Sequence, residues 1–257
     1  MTKLQNLKNE IKKLDNIAVA FSGGVDSSLL LKVAHDVLKD KSIAITIRSP
    51  YMSEREINET VEFTEMYGIQ HEIMQVGIID EITTNPENRC YICKMAVFTK
   101  LIEKANKLGF TNIADGTNKD DLDEYRPGLK AKSELGVISP LINLSKNEIR
   151  DLSRRLKLNT YNKPSYACLL TRLPHNYKFN KNELSLIEKI ENFLITNSYK
   201  NIRARFDGKY VKLQMGVADM ARFITDIKFK EMIKVINSMG KFELVLDLKG
   251  LREDVLK

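Results

Sequence analysis

The sequence is poor in the residues that mark several special classes of protein. Its 257 residues include only 12 glycines and 6 prolines, a composition that excludes collagen-like and low-complexity chains. No apolar run approaches the roughly 18 residues of a membrane-spanning helix, and the first residues lack the apolar stretch of a signal peptide. We therefore predict a cytoplasmic protein that does not enter a membrane.

Cysteine is also scarce, with Cys90, Cys93 and Cys168 as the only three in the chain. An odd number of cysteines without a secretion signal argues against a disulfide framework and favours a metal site or catalytic sulfur. The charge is less decisive. Lys and Arg outnumber Asp and Glu by 41 to 34, and the net charge of +7 suits a phosphate-bearing ligand, RNA or a merely solvated surface.

Apolar residues, by contrast, make up 43% of the chain and are spread along its whole length. In the first part of the chain, short apolar runs of strand length alternate with segments of helical periodicity. This alternation predicts an α/β fold, with a parallel sheet flanked by helices. The pattern changes after Lys163 and Pro164, so we predict a first domain at 1–163 and a smaller α+β domain at 164–257.

Local patterns predict single elements. A Ser-x-x-Glu pattern at Ser53 and another at Ser145 each predict a capping box at the start of a helix. Asp207 and Gly208 form a dipeptide typical of hairpin turns. We further predict a loop at 116–132, a short strand at 137–141 and a hairpin joining 202–206 to 210–215.

The most informative segment is a Ser-Gly-Gly-x-Asp-Ser motif between the apolar strand 17–21 and an apolar helix. The glycines allow a tight turn whose amides approach an oxyanion, and the helix directs its positive end to the same place. Asp26 fits such a site if it holds a cation such as Mg²⁺ or orients a ribose. Neither G-x-x-x-x-G-K-[ST] nor G-x-G-x-x-G occurs in the sequence. The predicted nucleotide-binding residues of the motif are Ser22, Gly23, Gly24, Val25, Asp26, Ser27 and Ser28.

This motif resembles the PP-loop of the ATP pyrophosphatases. The chain as a whole resembles the LarE family of ATP-dependent sulfur transferases, which help to build the nickel-pincer nucleotide of lactate racemase. The resemblance covers nearly the whole chain and is strongest over 21–172. The segments that carry it are 22–28, 115–121, 125–128, 139–141, 144–150 and 163–172.

The resemblance implies a two-step reaction on pyridinium-3,5-biscarboxylic acid mononucleotide. ATP adenylates one carboxylate and releases pyrophosphate, and a protein-borne sulfur then displaces AMP to leave a thiocarboxylate. Two rounds give the bis-thiocarboxylate that later binds nickel. The resemblance also implies that Gly116 and Thr117 lie against the nucleotide and that Arg126, with the acidic residues of the same loop, shapes this nucleotide-binding site. The predicted cofactors are ATP and Mg²⁺, with Asp26 as the candidate Mg²⁺ ligand.

The resemblance implies one of two sulfur donors. In one form of the family, a cysteine at the position of Cys168 gives up its own sulfur. In the other, three cysteines bind a 4Fe-4S cluster whose fourth iron can carry a hydrosulfide, and Cys90, Cys93 and Cys168 predict this catalytic form. From the residues alone, the C-x-x-C is also compatible with a redox pair or with zinc ligands completed by His175.

Two arginines predict a second anion site. Arg203 and Arg205 fall on one face of the predicted strand 202–206, and two neighbouring guanidiniums suit a phosphate. By resemblance they bind the phosphate of the mononucleotide, with Arg172 and Glu191 nearby. The alternative is an exposed strand face with solvated arginines.

The sequence leaves other functions open. A PP-loop tRNA thiolase would use a similar loop and cluster, and a glutamine-fed amidotransferase or synthetase would need ammonia supplied from elsewhere. A nucleotide-sensing or iron-sulfur carrier module would bind ATP without turnover. We expect a small-molecule substrate rather than nucleic acid and, by resemblance, a homo-oligomer.

Overall fold

A computed structural model describes residues 2–123 and 127–251 of the chain. It contains two compact units, the first formed by Met1–Ile82 with Asn88–Lys163 and the second by Thr83–Glu87 with Pro164–Lys257. The short segment Thr83–Glu87 thus belongs to the second unit, although both of its flanks belong to the first. Among the described residues, no helix has the length and apolar character needed to cross a bilayer.

The first unit is an open parallel sheet flanked by helices, which confirms the predicted fold class. Its strands have the spatial order β3-β2-β1-β4, and Val19 in the central strand pairs with Ala44 on one side and Ala114 on the other. The elements are α1 (Lys3–Lys12), β1 (Ile17–Ala20), α2 (Val25–Leu38), β2 (Ser42–Arg48), α3 (Glu54–Tyr67), β3 (Gln70–Gln75), α4 (Arg89–Lys107), β4 (Ile113–Ala114), α5 (Pro127–Glu134) and α6 (Lys146–Arg155).

Apolar side chains cover both faces of this sheet. Successive side chains of a strand point to opposite faces, so Val19 packs with Leu30 of α2 on one side. Its neighbour Ala18 packs with Leu101 and Ala105 of α4 on the other. A strand buried on both faces requires a continuous apolar run, and this is the pattern that the sequence shows at β1. The core therefore fixes β1, and with it the polar segment that leaves its carboxyl end.

Three local predictions in this unit need correction. The predicted loop 116–132 contains α5, whose Ala131 is fully buried, so tertiary packing forms a helix where the polar sequence indicated none. The predicted strand 137–141 is reduced to a single bridge between Ala114 and Ile138. Pro140 lacks the N–H that a longer ladder requires. Ser53 occupies the N-cap of α3 without a side-chain cap bond, so its capping box is also wrong.

The capping box at the start of α6 is confirmed. The Ser145 hydroxyl accepts a hydrogen bond from the Glu148 amide, and the Glu148 carboxylate accepts one from the Ser145 amide at 2.9 Å. These two bonds satisfy amides that the first turn of a helix leaves without intrahelical partners. They also fix the position of Lys146, the first residue of α6.

The second unit contains a three-stranded sheet with the order β5-β6-β7. Its elements are a 3₁₀ turn (Leu169–Arg172), α7 (Lys181–Thr196), β5 (Arg203–Phe206), β6 (Tyr210–Gln214), α8 (Val217–Thr225), α9 (Phe229–Asn237) and β7 (Glu243–Leu246). The antiparallel pairing of β5 and β6 confirms the predicted hairpin, and Gly208 adopts φ +98° in its turn. Helix α8 was not predicted, since its N-cap Gly216 offers no capping side chain.

Candidate functional site

The segment 22–28, called the glycine loop below, lies at the carboxyl end of β1 and leads directly into α2. Gly23 adopts φ +67°, a left-handed conformation that favours glycine, and a Cβ added there would lie 3.0 Å from Thr60 Cγ2. Gly24 is the N-cap of α2 and has no side chain with which to bond the first amides. These amides and the positive end of the helix dipole form a site suited to an anion.

Serine side chains shape the same loop from within. The Ser22 and Ser27 hydroxyls lie 3.1 Å apart, and the Ser27 hydroxyl donates to the Gly24 carbonyl at 3.3 Å. Ser28 is fully buried, whereas Ser22 is exposed. Of the three serines, Ser22 is therefore the one best placed to offer its hydroxyl to a ligand.

The loop that follows β4 approaches the start of α2. A Cβ added at Gly116 would lie 2.8 Å from the Ser27 amide nitrogen, so only glycine fits this approach without a shift of the backbone. The neighbouring Thr117 is buried, and its hydroxyl donates to the Asp115 carboxylate at 2.7 Å. The structure thus places Gly116 beside the glycine loop, while Arg126, also predicted to be there, lies outside the described residues.

Asp115 is the centre of a buried polar network that holds this second loop. Its carboxylate pairs with the Lys132 ammonium and accepts a hydrogen bond from the Ser139 hydroxyl at 2.7 Å. Burial alone would raise the pKa of Asp115, but Lys132 and the hydrogen bonds hold that pKa below its ordinary value. Burial lowers the pKa of Lys132, and its attraction to Asp115 only partly offsets this. The network ties α5, which carries Lys132, to the segment that presents Gly116.

Two further lysines, which the sequence analysis missed, lie against the glycine loop. The Lys163 ammonium donates to the Gly23 carbonyl at 2.9 Å and pairs with Glu59 of α3. Lys146 pairs with Asp26, the acid of the loop itself. These contacts join residues 120 and 140 positions apart in the chain, a distance at which no local pattern signals them.

The carboxylate of Asp26 is therefore already engaged. Besides its ion pair with Lys146, Asp26 accepts a hydrogen bond from the side-chain amide of Asn118 at 3.4 Å. A cation at this position would have to take the place of the Lys146 ammonium. Displaced from Asp26, Lys146 would be available to a phosphate instead.

All three cysteines lie in the described part of the chain and carry thiols rather than a disulfide. Cys90 and Cys93 are on the first turns of α4. Burial raises the pKa of Cys93, partly offset by the adjacent Lys94. Cys168 belongs to the second unit, where it is exposed and precedes the 3₁₀ turn.

The chemistry of the three thiols fits a metal centre, because thiolates are metal ligands. Cys90 and Cys93 are three residues apart on one helix, which allows both to reach a single metal centre. Across residues 2–123 and 127–251, no group of three or more His, Cys, Asp or Glu side chains is gathered so that it could hold a metal ion. The metal role of the cysteines stays a prediction.

The second unit contains a cluster of three arginines and one carboxylate, called the arginine cluster below (Arg172, Glu191, Arg203 and Arg205). Arg172 is 1% exposed and binds Glu191 through two hydrogen bonds of 2.9 and 3.1 Å. The same carboxylate accepts the Ala204 amide at 2.9 Å, so Glu191 joins α7 to β5. The four residues that sequence reasoning grouped are thus brought together.

Arg203 and Arg205 differ from the expected pair of exposed side chains. Arg203 is 2% exposed, donates to the carbonyls of Ile202 and Ser165, and lies over the Tyr166 ring. Its Nε is buried without a partner among the described residues. Arg205 is half-buried and donates to the Thr171 carbonyl at 2.7 Å.

The arginine cluster carries an excess of positive charge. Burial lowers the pKa of Arg203 and of Arg205, and the charge of Arg172 lowers both further. Glu191 binds Arg172 and also attracts Arg203 and Arg205, and Asp247 attracts Arg205 as well, so an anion would further reduce the repulsion between the three guanidiniums. Arg205, the most exposed of the three, is the natural contact for such an anion.

The chain is similar to one protein-family model and to several known proteins. The family model described as NAD synthase matches residues 2–106. The chain is 34% identical to an uncharacterized protein of Synechocystis over 99% of this chain and 97% of that one. It is 32% identical to an uncharacterized protein of Methanocaldococcus jannaschii over 98% of each. It is also similar to the pyridinium-3,5-bisthiocarboxylic acid mononucleotide synthase of Lactiplantibacillus plantarum, at 29% identity over 98% of this chain and 92% of that protein.

Proposed function

The chain belongs to the LarE family of PP-loop proteins, and we propose on that premise that it is an ATP-dependent sulfur transferase. Its substrate is pyridinium-3,5-biscarboxylic acid mononucleotide, whose two carboxylates it converts to thiocarboxylates. The observation that carries the proposal is the similarity to the Lactiplantibacillus synthase along 98% of the chain. That similarity spans both units and therefore both candidate anion sites.

The first step is adenylation at the glycine loop. The amides at the start of α2 and the Ser22 hydroxyl hold the β- and γ-phosphates, with Lys163 adding positive charge. A carboxylate oxygen of the substrate attacks the α-phosphorus, the bond to the bridging oxygen breaks, and pyrophosphate leaves. Asp26 would hold a Mg²⁺ ion that accompanies ATP, and such an ion would neutralise phosphate charge; the Lys146 ammonium, which pairs with Asp26 in its absence, would then be free to pair with a phosphate.

The second step replaces oxygen by sulfur. A hydrosulfide attacks the carbonyl carbon of the acyl adenylate, a carbon–sulfur bond forms, and the carbon–oxygen bond to AMP breaks. AMP leaves with the bonding electrons, and the proton of the hydrosulfide passes to water. A free carboxylate resists such an attack because it is a poor electrophile, and this explains the need for ATP.

The arginine cluster binds the phosphate of the mononucleotide. Arg205 makes the contact, while Glu191 and Arg172 fix the cluster's geometry through buried bonds. Guanidiniums suit this task because their planar donors match phosphate oxygens in pairs. The second unit is on this view the substrate-binding part of the chain, and we retain a cytoplasmic homo-oligomer as an expectation.

The three cysteines are the candidate residues for carrying the sulfur. Three thiols outside any disulfide match the three protein ligands of a 4Fe-4S cluster that keeps one iron without a protein ligand. Such a cluster, when bound, supplies a site where sulfur from outside the protein can be held, so that no cysteine is consumed. Cys90, Cys93 and Cys168 would hold it. Sacrifice of the Cys168 sulfur is the alternative, favoured by the exposure of that residue.

One experiment tests the function as a whole. Anaerobically prepared protein is given ATP and Mg²⁺, with and without the pyridinium substrate, and pyrophosphate and thiocarboxylate are measured. Release of pyrophosphate that depends on the substrate is the expected result. If no pyrophosphate forms with any combination, the transferase proposal is wrong. Iron and sulfide content, together with the mass of the spent protein, distinguishes a cluster from a sacrificed Cys168.

A further inference from the structure

A buried threonine hydroxyl holds the backbone just before the glycine loop. Thr46 of β2 is fully buried, and its hydroxyl donates to the Phe21 carbonyl at 2.9 Å. Strand β1 ends at Ala20, so Phe21 is the residue that leads from the strand into the loop. The Phe21 amide donates to the Ile45 carbonyl, also at 2.9 Å. Strand β2 therefore holds Phe21 twice, by its backbone and by a side chain, where the chain turns into the glycine loop.

A histidine of the neighbouring strand β3 connects this hydroxyl to helix α3. The Nε2 atom of His71 lies 2.8 Å from the Thr46 hydroxyl, and its Nδ1 atom lies 3.0 Å from the Thr64 hydroxyl of α3. The rings of His71 and Phe21 meet edge to face, with their centroids 6.2 Å apart. These four residues form a continuous path from α3 through β3 and β2 to the entrance of the glycine loop.

The hydrogen-bond partners assign the proton of His71. A hydroxyl has one proton to donate, and Thr46 gives its proton to the Phe21 carbonyl, so Thr46 must accept from Nε2–H of His71. In a neutral imidazole the other nitrogen is then an acceptor, and it receives the Thr64 hydroxyl proton. All donors thus run in one direction, from Thr64 through His71 and Thr46 to Phe21, and we call this path the donor chain. With the proton on Nδ1 instead, Thr46 would donate to the ring and the Phe21 carbonyl would lose this donor.

The surroundings of His71 favour the neutral ring. Burial lowers the pKa of His71, and the negative charge of Glu72 offsets this only in part. Glu72 is itself paired with Lys104 of α4 at 2.9 Å. A charged ring would still donate from Nε2, since Nδ1–H would then donate to Thr64, whose proton would turn to the Thr60 carbonyl 3.0 Å away. The end of the donor chain therefore depends on the proton at Nε2 and not on the charge of the ring.

Helix α3, where the donor chain begins, also lies against the glycine loop itself. A Cβ added at Gly23 would lie 3.0 Å from Thr60 Cγ2. Glu59 of the same helix pairs with Lys163, whose ammonium donates to the Gly23 carbonyl at 2.9 Å. Helix α3 is thus connected to the loop at Gly23 and, through the donor chain, at the residue that precedes the loop.

We propose that His71 is a positioning residue for ATP binding, acting through Thr46 on the entrance of the glycine loop. Its Nε2–H directs the Thr46 hydroxyl to the Phe21 carbonyl and thereby holds the loop amides in the arrangement that receives the phosphates. The inference rests on the proposed function only in that the glycine loop binds ATP. It assigns His71 no contact with ATP or with the pyridinium substrate.

The test measures ATP affinity by calorimetry in two pairs of variants. His71→Leu removes both ring nitrogens, whereas His71→Gln keeps one donor and one acceptor on a planar group. Thr46→Val removes the hydroxyl at nearly constant size, and Thr46→Ser keeps it. Because loss of a buried hydrogen-bond partner changes an equilibrium about tenfold or more, we expect ATP affinity to fall about tenfold in His71→Leu and in Thr46→Val. His71→Gln and Thr46→Ser should retain most of the affinity.

Further measurements separate positioning from a general loss of stability. Ile43→Val removes a methyl group from β2 in the core on the opposite face of the sheet from Thr46. It should lower the free energy of unfolding and leave ATP affinity unchanged. Nitrogen NMR spectroscopy of the unaltered protein should show the Nε2–H tautomer of His71. Amide hydrogen exchange at 22–28 should rise in His71→Leu and in Thr46→Val, but not in Ile43→Val.

The possible outcomes separate this inference from the proposed function. If the unaltered protein binds ATP and His71→Leu binds it equally well, the inference is overturned and the function stands. An Nδ1–H tautomer in the unaltered protein also overturns it, because Thr46 would then donate to the ring. If Ile43→Val loses as much ATP affinity as His71→Leu at equal destabilisation, the role of His71 is merely structural and the inference is wrong. If the unaltered protein binds no ATP, the proposed function is wrong and the inference is lost with it.

Discussion

The glycine loop and the arginine cluster both concentrate positive charge, but they are built in different ways. The glycine loop relies on backbone amides at the start of a helix, and its lysines come from distant parts of the chain and are paired with acids. The arginine cluster relies on side chains packed within the second unit, where Glu191 binds both Arg172 and the Ala204 amide. The first is a local motif that distant residues complete, and the second exists only through tertiary packing.

This difference predicts different responses to mutation. Removing a side chain from the arginine cluster leaves buried charges without a partner, so folding stability should suffer most. A change at the glycine loop alters backbone fit or local charge, so ligand affinity should suffer most. Four comparisons test this contrast.

The largest effect is expected for Glu191→Ala. This change leaves Arg172 buried without its carboxylate beside two other guanidiniums, and breaking a buried pair in this way costs about 3–5 kcal/mol. Denaturant unfolding should show the loss. In contrast, Glu243→Ala removes an exposed partner of Lys209 and should cost at most about 1 kcal/mol. Equal effects of the two changes would contradict the buried role of Glu191.

A smaller effect, in affinity rather than stability, is expected for Gly116→Ala. The new methyl group would lie 2.8 Å from the Ser27 amide nitrogen, and overpacking of this kind costs about 1–3 kcal/mol. ATP affinity measured by calorimetry should fall about tenfold or more. Gly77→Ala is the control, since no described atom lies within 4 Å of a Cβ added there. Unchanged ATP affinity in Gly116→Ala would separate this loop from the nucleotide site.

Lys163→Met should weaken only ligands that carry the outer phosphates. A charge-assisted hydrogen bond contributes about 1.5–3 kcal/mol, so we expect affinity for ATP and for pyrophosphate to fall about tenfold to a hundredfold. Affinity for AMP should not change. Lys100→Met, on the exposed surface of α4, controls for the loss of one positive charge. An equal loss for AMP would show that Lys163 supports the loop rather than the phosphates.

The smallest expected effect concerns the helix that carries Lys146. Ser145→Ala removes a side chain that caps α6, and loss of such a cap costs about 1 kcal/mol in unfolding experiments. Ser53→Ala removes a hydroxyl that makes no cap bond to α3 and should be nearly neutral. If the two changes cost the same, the difference between these two N-caps has no energetic meaning.

Much of the first unit could be predicted because its signals are local. The apolar run of β1, the Ser-Gly-Gly-x-Asp-Ser motif and the capping box at Ser145 each lie within a few consecutive residues. The wrong predictions at 116–132 and 137–141 have a common cause. Helix α5 forms because Ala131 is buried by other elements, and the strand predicted at 137–141 is limited by Pro140 to one bridge. Both depend on neighbours that the local sequence does not reveal.

The candidate sites likewise combine residues that the sequence indicated with contacts that only the structure shows. The arginines and Glu191 could be named from the sequence through the family resemblance, but not the near-complete burial of Arg172 and Arg203. Lys146 and Lys163 lie in segments that carry the family resemblance, but no local pattern placed them at the glycine loop, because each reaches it across more than a hundred residues. Nor did the sequence suggest that Asn85 bonds to carbonyls beyond Cys168.

The sequence by itself therefore determined the strand–loop–helix that forms the glycine loop, the parallel sheet around it and the presence of three thiols. Short-range backbone preferences and apolar periodicity are sufficient for these features, because they act between residues close in the chain. Only the tertiary structure decided which charges face each other: Lys163 with Gly23 and Glu59, and Arg172 with Glu191. Electrostatic and hydrogen-bond partners are chosen by proximity in space, and folding brings residues together that the sequence keeps far apart.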